Sequence, residues 1–360
     1  VQMHPPYRPV RLLSEIKRRH KILVDSGLKP MYVFDGRRHP MKVVAREKRD
    51  NPLESAIKWL DEFYSKGLLG ESISDDERDE AMKKMKEATQ VTPEIISIVI
   101  EWMKEQEVRF ICAPFEAEWQ CVALVLDKLA DIILSTDGDC VILGAPKVIV
   151  ELTLSTSQCF VYDRACVLSS LANPKYDISE YEDLLPEMAA FLGCDYIKRV
   201  HGYGADRVFK KRLPGFVQAD DKRAYLQNLP GVPAKDRASY ADRFLHVTNL
   251  FRYAPVLRCR NGEWLLLPLS HLPTNEMSNW ARMIGFGRVQ HPSELLPVDA
   301  QQYSKAMLFD GSSFLVDGGG PLPPFKDPLY KNSSTALPHY ASINFDKIPV
   351  ACVQSAPLYQ

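Results

Sequence analysis

Short apolar runs that stop at an acidic side chain alternate along this chain with longer amphipathic stretches. The first amphipathic stretch, RPVRLLSEIKRRHKILVDSG, puts Val10, Leu13, Ile16, Ile22 and Leu23 on about one face of a helix, with Gly27 as its C-terminal stop. LKPMYVFDG then reads as a short buried strand from Met31 to Phe34, with Asp35 and Gly36 at the turn. From Pro40 to about Gln90 the chain is charged and helix-forming, interrupted by Asn51-Pro52, Gly67 and Gly70. Thr92-Pro93-Glu94 is a helix start with Thr as the cap, and VRFICAP is a strand ended by Pro114. FEAEWQCVALVLDKLA is a strongly apolar helix whose first turn holds Glu116 and Glu118. ADIILSTDGDC gives a strand, Ile132 to Leu134, with Asp137 and Asp139 beyond it, and KVIVEL and CFVYD add two more strands. Strands and helices thus alternate from residue 28 to 162, which predicts an α/β fold with a mainly parallel sheet covered by helices.

Further along, an apolar helix from Leu184 to Leu192 leads to Asp195, and Gly202-Tyr203-Gly204 forms a sharp turn before a second helix carrying Lys210, Lys211 and Arg212. RYAPVLRCRNGEWLLLPL predicts a β-hairpin around Asn261-Gly262. From about Asp317 the chain is rich in Gly, Pro, Ser and Asn and is expected to be an extended or disordered tail.

Composition narrows this only slightly. The 360 residues are 46% apolar and 25% charged, ordinary for a soluble globular protein. No apolar run approaches the length of a membrane span, and the first residues do not resemble a secretory signal, so an intracellular protein is expected. The eight cysteines form no C-x-x-C pair and mostly sit in apolar segments, which favours buried reduced thiols over disulfides or a zinc site. The net charge of −1 is uninformative, but residues 1 to 50 carry 13 Lys and Arg against 5 Asp and Glu.

The candidate chemistry lies in Asp35, Glu116, Glu118, Asp137, Asp139 and Asp195, six acids delivered to the ends of core elements. Gathered together they would repel, and a hard divalent cation is the usual compensation. Taken singly, each has a plain alternative: an Asp-Gly turn for Asp35, helix-dipole preference for Glu116 and Glu118, a turn for the D-x-D. Lys42, Arg46 and Arg49 recur at helical spacing and predict a cationic face, with a merely solvated face as the alternative. The acidic run from Asp75 to Glu80 reads as a solvated loop or helix start. Glycines 202 and 204 would let a phosphate approach backbone N–H groups.

In this order, YVFDG, APFEAE, the D-x-D of STDGDC and FLGCDYIKRVHGYGADRV resemble the flap endonuclease / XPG family of structure-specific 5′ nucleases, over residues 8 to 215. The resemblance implies a PIN-like nuclease core over 1–182, including a helical gateway and cap over 42–90. A helix-two-turn-helix DNA-binding region over 183–245, a small C-terminal extension over 246–316 and a tail over 317–360 would complete the chain. It implies two Mg²⁺ ions, with Mn²⁺ as a substitute, held by Asp35, Glu116, Glu118, Asp137, Asp139 and Asp195 directly or through water. Lys42 and Arg49, seven and fourteen residues after Asp35, match the family's basic residues near the scissile phosphate. Gly202, Gly204, Lys210 and Lys211 match its duplex-phosphate grip, where a K⁺ ion is also implied. The expected activity is that of a flap endonuclease or a 5′–3′ exonuclease on DNA with a single-strand/duplex junction, the expected location the nucleus, with an organelle left open.

The sequence also departs from the family pattern. That pattern opens with a further strand ending in another catalytic Asp, and no acid in residues 1 to 30 replaces it, so the full-length protein is expected to carry that strand upstream of Val1. Trp119 stands where a small residue is usual, the acidic run at 75 to 80 is unusual for a gateway that passes a polyanion, and the tail has no motif of the sliding-clamp-binding kind. A catalytically silent PIN-like scaffold or nucleic-acid-binding protein, for example in RNA regulation, is the alternative from another class, and a ribonuclease of similar fold is a third reading.

Overall fold

The computed structural model describes residues 9–36, 39–68, 72–88, 93–153, 158–171, 184–260 and 263–285. Helix α1 (Pro9–Asp25) ends where Gly27 adopts φ +82°, a conformation that suits a residue without Cβ. Its Leu13 and Ile16 pack on the cluster containing Ile100, Met103, Phe110 and Cys112. The predicted first strand is β1 (Tyr32–Phe34).

A 3₁₀ turn, Pro40–Lys42, then leads into α2 (Val43–Leu68), which packs against α3 (Asp75–Glu87). The expected interruption at Asn51-Pro52 is not seen: α2 continues through it. A proline removes one N–H and displaces one carbonyl, and a helix of 26 residues has turns enough on either side to continue past that local cost. The acidic run is a helix start, because Ser74 and Glu77 form a capping box and Asp75, Asp76 and Glu77 fill the positive end of the helix dipole. Gly70 and Thr92 lie outside the described residues, and α4 (Pro93–Glu105) begins at the predicted proline.

Strand β2 (Phe110–Cys112) pairs parallel with β1, Tyr32 opposite Phe110 and Phe34 opposite Cys112. Helix α5 (Ala117–Leu126) follows, and β3 (Ile133–Leu134) precedes α6 (Asp139–Ile142). β4 (Lys147–Thr153) pairs parallel with β3 and antiparallel with β5 (Gln158–Asp163), the direction that a short connection imposes. The α/β class and its parallel pairs therefore follow the alternation in the sequence, distributed over two small sheets that both meet α5.

The rest is mostly helical: α7 (Arg164–Leu171), α8 (Leu185–Leu192) and α9 (Ala205–Arg207), which runs through a π turn, Val208–Arg212, into α10 (Leu213–Gln218). Then come α11 (Lys222–Gln227) and α12 (Arg237–Tyr253). The predicted hairpin is β6 (Pro255–Arg260) and β7 (Glu263–Pro268), its Asn261-Gly262 turn lying outside the described residues, and α13 (Trp280–Met283) closes the described part. The expected tail from Asp317 also lies outside them. No described helix is long and apolar enough to cross a membrane.

Polar ties hold the C-terminal half together and onto the core. Gln120 of α5 is fully buried, and its side chain both donates to the Leu257 carbonyl and accepts from the Leu257 N–H, each at 2.8 Å. Buried amide groups are costly unless paired, so this tie fixes β6 on α5, where Leu257 packs with Ile111 and Leu124. The Arg252 guanidinium of α12 donates to both oxygens of buried Glu187 in α8, at 2.8 and 2.7 Å. The seven described cysteines are free thiols, as expected, but Cys166 is exposed rather than buried, being on the outer face of α7.

Candidate metal centre

Strand β1 delivers Asp35 to the start of α5 because Gly36 lets two backbones meet. The Gly36 N–H donates to the Phe115 carbonyl at 2.6 Å, and a Cβ at residue 36 would run into the Ala113 carbonyl oxygen and lie 2.8 Å from that of Pro114. From there Asp35 Oδ1 accepts from the Ala117 N–H at 2.8 Å, capping a helix to which it does not belong. Glu116 occupies the N-cap position with extended backbone and makes no cap bond; its buried side chain turns to the ammonium of Lys42. Glu118 is half-buried in the first turn. One carboxylate oxygen from each of Asp35, Glu116 and Glu118 lies within 4.8 Å of the other two, an all-oxygen donor set that suits Mg²⁺ or Mn²⁺.

The other three acids lie beside this group rather than in it. The Asp137 N–H is held by Ser135 Oγ at 3.1 Å, and Asp137 Oδ1 accepts from the Asp139 N–H at 2.8 Å, so the D-x-D is also the turn that starts α6. Asp195 follows Gly193, whose φ of +88° and close approach to Arg199 leave no room for a Cβ. Asp195 Oδ2 is 3.6 Å from Lys42 Nζ. Lys42 therefore reaches both Glu116 and Asp195, a cation built into the acidic group.

The charges are visibly coupled. Burial, then the fields of Asp137, Asp195 and Glu118, pushes the Asp139 carboxyl up to about 7. Burial raises Glu118 as well, helped by Asp35, Asp137 and Glu116. Glu116 is raised by burial against the opposing pull of Lys42. Burial works against the Lys42 ammonium, but Glu116, Asp195 and Asp35 outweigh it and hold Lys42 above its ordinary value. The surplus is negative even with Lys42 ionised, the condition in which further cations are attracted.

The remaining predicted residues are more dispersed. Lys42 is not part of a stripe on α2, because it ends the 3₁₀ turn ahead of that helix and points into the acids; the side chains of Arg46 and Arg49 lie outside the described residues. Gly202 has φ +78° and Gly204 caps α9; both are exposed, as are Lys210 and Lys211, with Lys210 3.7 Å from Asp206. Trp119 is buried with its ring centroid 5.7 Å from His39, 6.2 Å from Phe115 and 6.2 Å from Tyr196, a core contact behind the acids. His39 and Arg243, which support the Lys42 turn, escaped the sequence reading: a lone His beside a Pro and an Arg in a helix 202 residues from its contact leave no local signal.

Five of the six acids lie in a stretch that matches a known family. Residues 107–195, which hold Glu116, Glu118, Asp137, Asp139 and Asp195, match the model of the XPG I-region. The chain is similar to flap endonuclease 1 of Trypanosoma cruzi, 28% identical over 213 residues, covering 58% of this chain and 48% of that protein. It is similar to exodeoxyribonuclease 1 of Schizosaccharomyces pombe, 28% identical over 229 residues, with 61% and 34% covered. The chain thus spans less than half the length of either relative. Among solved structures it is similar to the catalytic core of Rad2 in complex with DNA substrate, at 18% identity and TM-score 0.45, covering 82% of this chain and 86% of that one. The chain therefore carries a stretch that matches the XPG I-region, and over somewhat more than half of its length it is similar to flap endonuclease 1 and exodeoxyribonuclease 1.

Proposed function

We propose that this chain is the greater part of the catalytic core of a divalent-metal-dependent, structure-specific 5′ nuclease that cuts DNA near single-strand/duplex junctions during replication or repair in the nucleus. The observation that carries this reading is the convergence of Asp35, Glu116 and Glu118 within 4.8 Å, with Asp137, Asp139 and Asp195 coupled to them. Asp35, Glu116, Glu118, Asp137, Asp139 and Asp195 would hold two Mg²⁺ ions, or Mn²⁺ in their place, and such ions would supply a nucleophile at neutral pH and compensation for the charge that develops in phosphodiester hydrolysis. Lys42 would meet the developing charge of the scissile phosphate from the side of Glu116 and Asp195, a task that the resemblance to the family also implies for Arg49. Asp35 and Asp137 hold helix starts by accepting backbone N–H groups, which fixes the two ends of the acidic group relative to each other. Lys210, Lys211 and the backbone at Gly202 and Gly204 would take duplex phosphates, contacts that position the substrate without reading its sequence.

One observation favours a second reading. Lys42 already compensates Glu116 and Asp195, so the acidic group can persist in a scaffold that never binds metal. The deciding experiment uses the full-length protein on a 5′-labelled DNA flap with Mg²⁺, beside Asp137→Ala and a matched RNA flap. Metal-dependent cleavage of the DNA flap that Asp137→Ala abolishes, with binding retained, is the expected result. Binding without cleavage in Mg²⁺ or Mn²⁺ leaves the scaffold, and preference for the RNA flap gives a ribonuclease.

A further inference from the structure

We infer that Arg243 is a positioning residue that sets the placement of Lys42 against Asp195, an inference that rests on the nuclease reading above. Arg243 lies on α12, outside the stretch that matches the XPG I-region. Its guanidinium donates from Nε to the Tyr196 carbonyl at 2.6 Å and from Nη2 to the Met41 carbonyl at 2.7 Å. Tyr196 directly follows Asp195, and Met41 directly precedes Lys42. One planar group therefore holds the backbone on the far side of both residues whose side chains meet at 3.6 Å.

The two segments also meet in the apolar core, where Met41, Trp119 and Tyr196 pack together, and to that packing Arg243 adds directional hydrogen bonds to both backbones. Around Asp195, the backbone bonds between Cys194 and Ile197, at 3.0 and 3.3 Å, close a turn on itself. Around Lys42, the Met41 N–H donates to His39 Nδ1 at 3.2 Å, again within the turn. Each turn is internally stiff, and the aromatic contact between His39 and Tyr196, 6.1 Å between centroids, is nondirectional by comparison. Charge-assisted bonds from a rigid fork set distance and angle together, which a lysine, a single point charge, cannot do across two carbonyls. The consequence is a role for α12: its Arg243 face acts as a clamp that keeps an ammonium among carboxylates where phosphate charge would develop. An error of about 1 Å in such a group costs on the order of 10²-fold in rate.

The test uses full-length protein carrying Arg243→Met, Arg243→Lys, Lys42→Ala and the Lys42→Ala/Arg243→Met double change. On a DNA flap with Mg²⁺, Arg243→Met is expected to lower kcat by about 10²-fold with KM, and DNA affinity in EDTA, unchanged. Arg243→Lys should fail to restore kcat although it keeps the charge, and the double variant should be no slower than Lys42→Ala alone. A second readout needs no activity: acetylation of Lys42 by sulfo-NHS acetate, followed by mass spectrometry, should accelerate in both Arg243 variants with the rates at Lys198 and Lys211 unchanged. Losses that add in the double variant, or rescue by Arg243→Lys, mean that Arg243 only stabilises the fold and overturn the proposal. Should the wild-type protein not cleave, the nuclease reading falls, and an unchanged Lys42 acetylation rate then overturns the positioning role separately. If Arg243→Met does not fold, Arg243→Lys, which keeps one of the two bonds, carries the acetylation measurement.

Discussion

Replacing Lys42 by Met keeps most of the side-chain volume and removes the ammonium that meets Glu116 and Asp195. The perturbation falls on Glu116, whose side chain is 9% exposed and whose Lys42 partner is 23% exposed. Breaking one side of a buried ion pair costs about 3–5 kcal/mol because the other charge is left without a partner. Water reaches Lys42 from one side, so the expected loss is smaller, about 2–3 kcal/mol, which at about 2 °C per kcal/mol lowers the melting temperature by about 4–6 °C. Two conditions should close the gap. Glu116 already has its carboxyl raised by burial, and without Lys42 it rises further. A raised carboxyl binds its proton more tightly in the folded state, so stability is gained as pH falls through its folded value, and the deficit at pH 7.5 should shrink towards pH 5. A divalent ion replaces the missing charge directly, so millimolar Mn²⁺ should raise the melting temperature of the variant more than that of the wild type. Differential scanning fluorimetry in EDTA and in MnCl₂ at both pH values reads all of this. A variant as stable as wild type in EDTA at pH 7.5, or one that Mn²⁺ fails to favour, would refute the account of the acidic group as short of positive charge.

Two further outcomes are expected. Burial pushes the His39 ring down to about 3, so the fold holds it neutral; below pH 6.5 only the unfolded chain takes the proton, and stability falls by about 1.4 kcal/mol per pH unit. Asp139, raised to about 7, works in the opposite direction over that range, so His39→Phe is compared with wild type to cancel it: the variant should start about 1 kcal/mol less stable at pH 8 in urea titrations, having lost the acceptor for the Met41 N–H, and be the more stable below about pH 6. Gly36→Ala should lose more than about 3 kcal/mol in the same titration, because the methyl meets the Ala113 carbonyl and the backbone must part, whereas Gly138→Ala, with nothing within 4 Å of its added Cβ, should change stability by under about 0.5 kcal/mol.

Much of this architecture was legible because it is local. MYVF and VRFIC are apolar runs with hard stops, and a strand needs little more; Pro93 and Gly27 mark helix ends through backbone chemistry that any sequence carries. The acids were legible for a different reason, as motifs in a fixed order. What could not be read were contacts made across the chain. Lys42 matched a helical spacing with Arg46 and Arg49, yet it belongs to the preceding turn and faces the acids, because the 3₁₀ turn and not α2 sets its direction. Asn51-Pro52 suggested a break, since propensity weighs the proline and does not see the helix that continues around it. The tie from Gln120 to Leu257 links residues 137 apart, and nothing in either segment announces it.

The acidic group has two ways of tolerating its own repulsion before any metal binds, and they act at different places. Lys42 supplies a charge at Glu116 and Asp195, while burial at Asp139 retains a proton near neutral pH. The two differ in what metal binding must undo. A proton is released to solvent at a cost set by pH, whereas Lys42 is tethered through Met41 to Arg243 and cannot leave. Near Glu116 and Asp195, therefore, a permanent cation sits beside whatever the carboxylates bind, whereas its field reaches Asp139 only as the smallest of several influences. The group is polarised: its Lys42 side suits the most negative part of a bound phosphate, and its Asp137 side, where the field of Lys42 is the weakest of those acting on Asp139, suits a metal. That asymmetry follows from the turn that carries Lys42, and through Arg243 it gives helix α12 a share in chemistry whose acids all come from elsewhere in the chain.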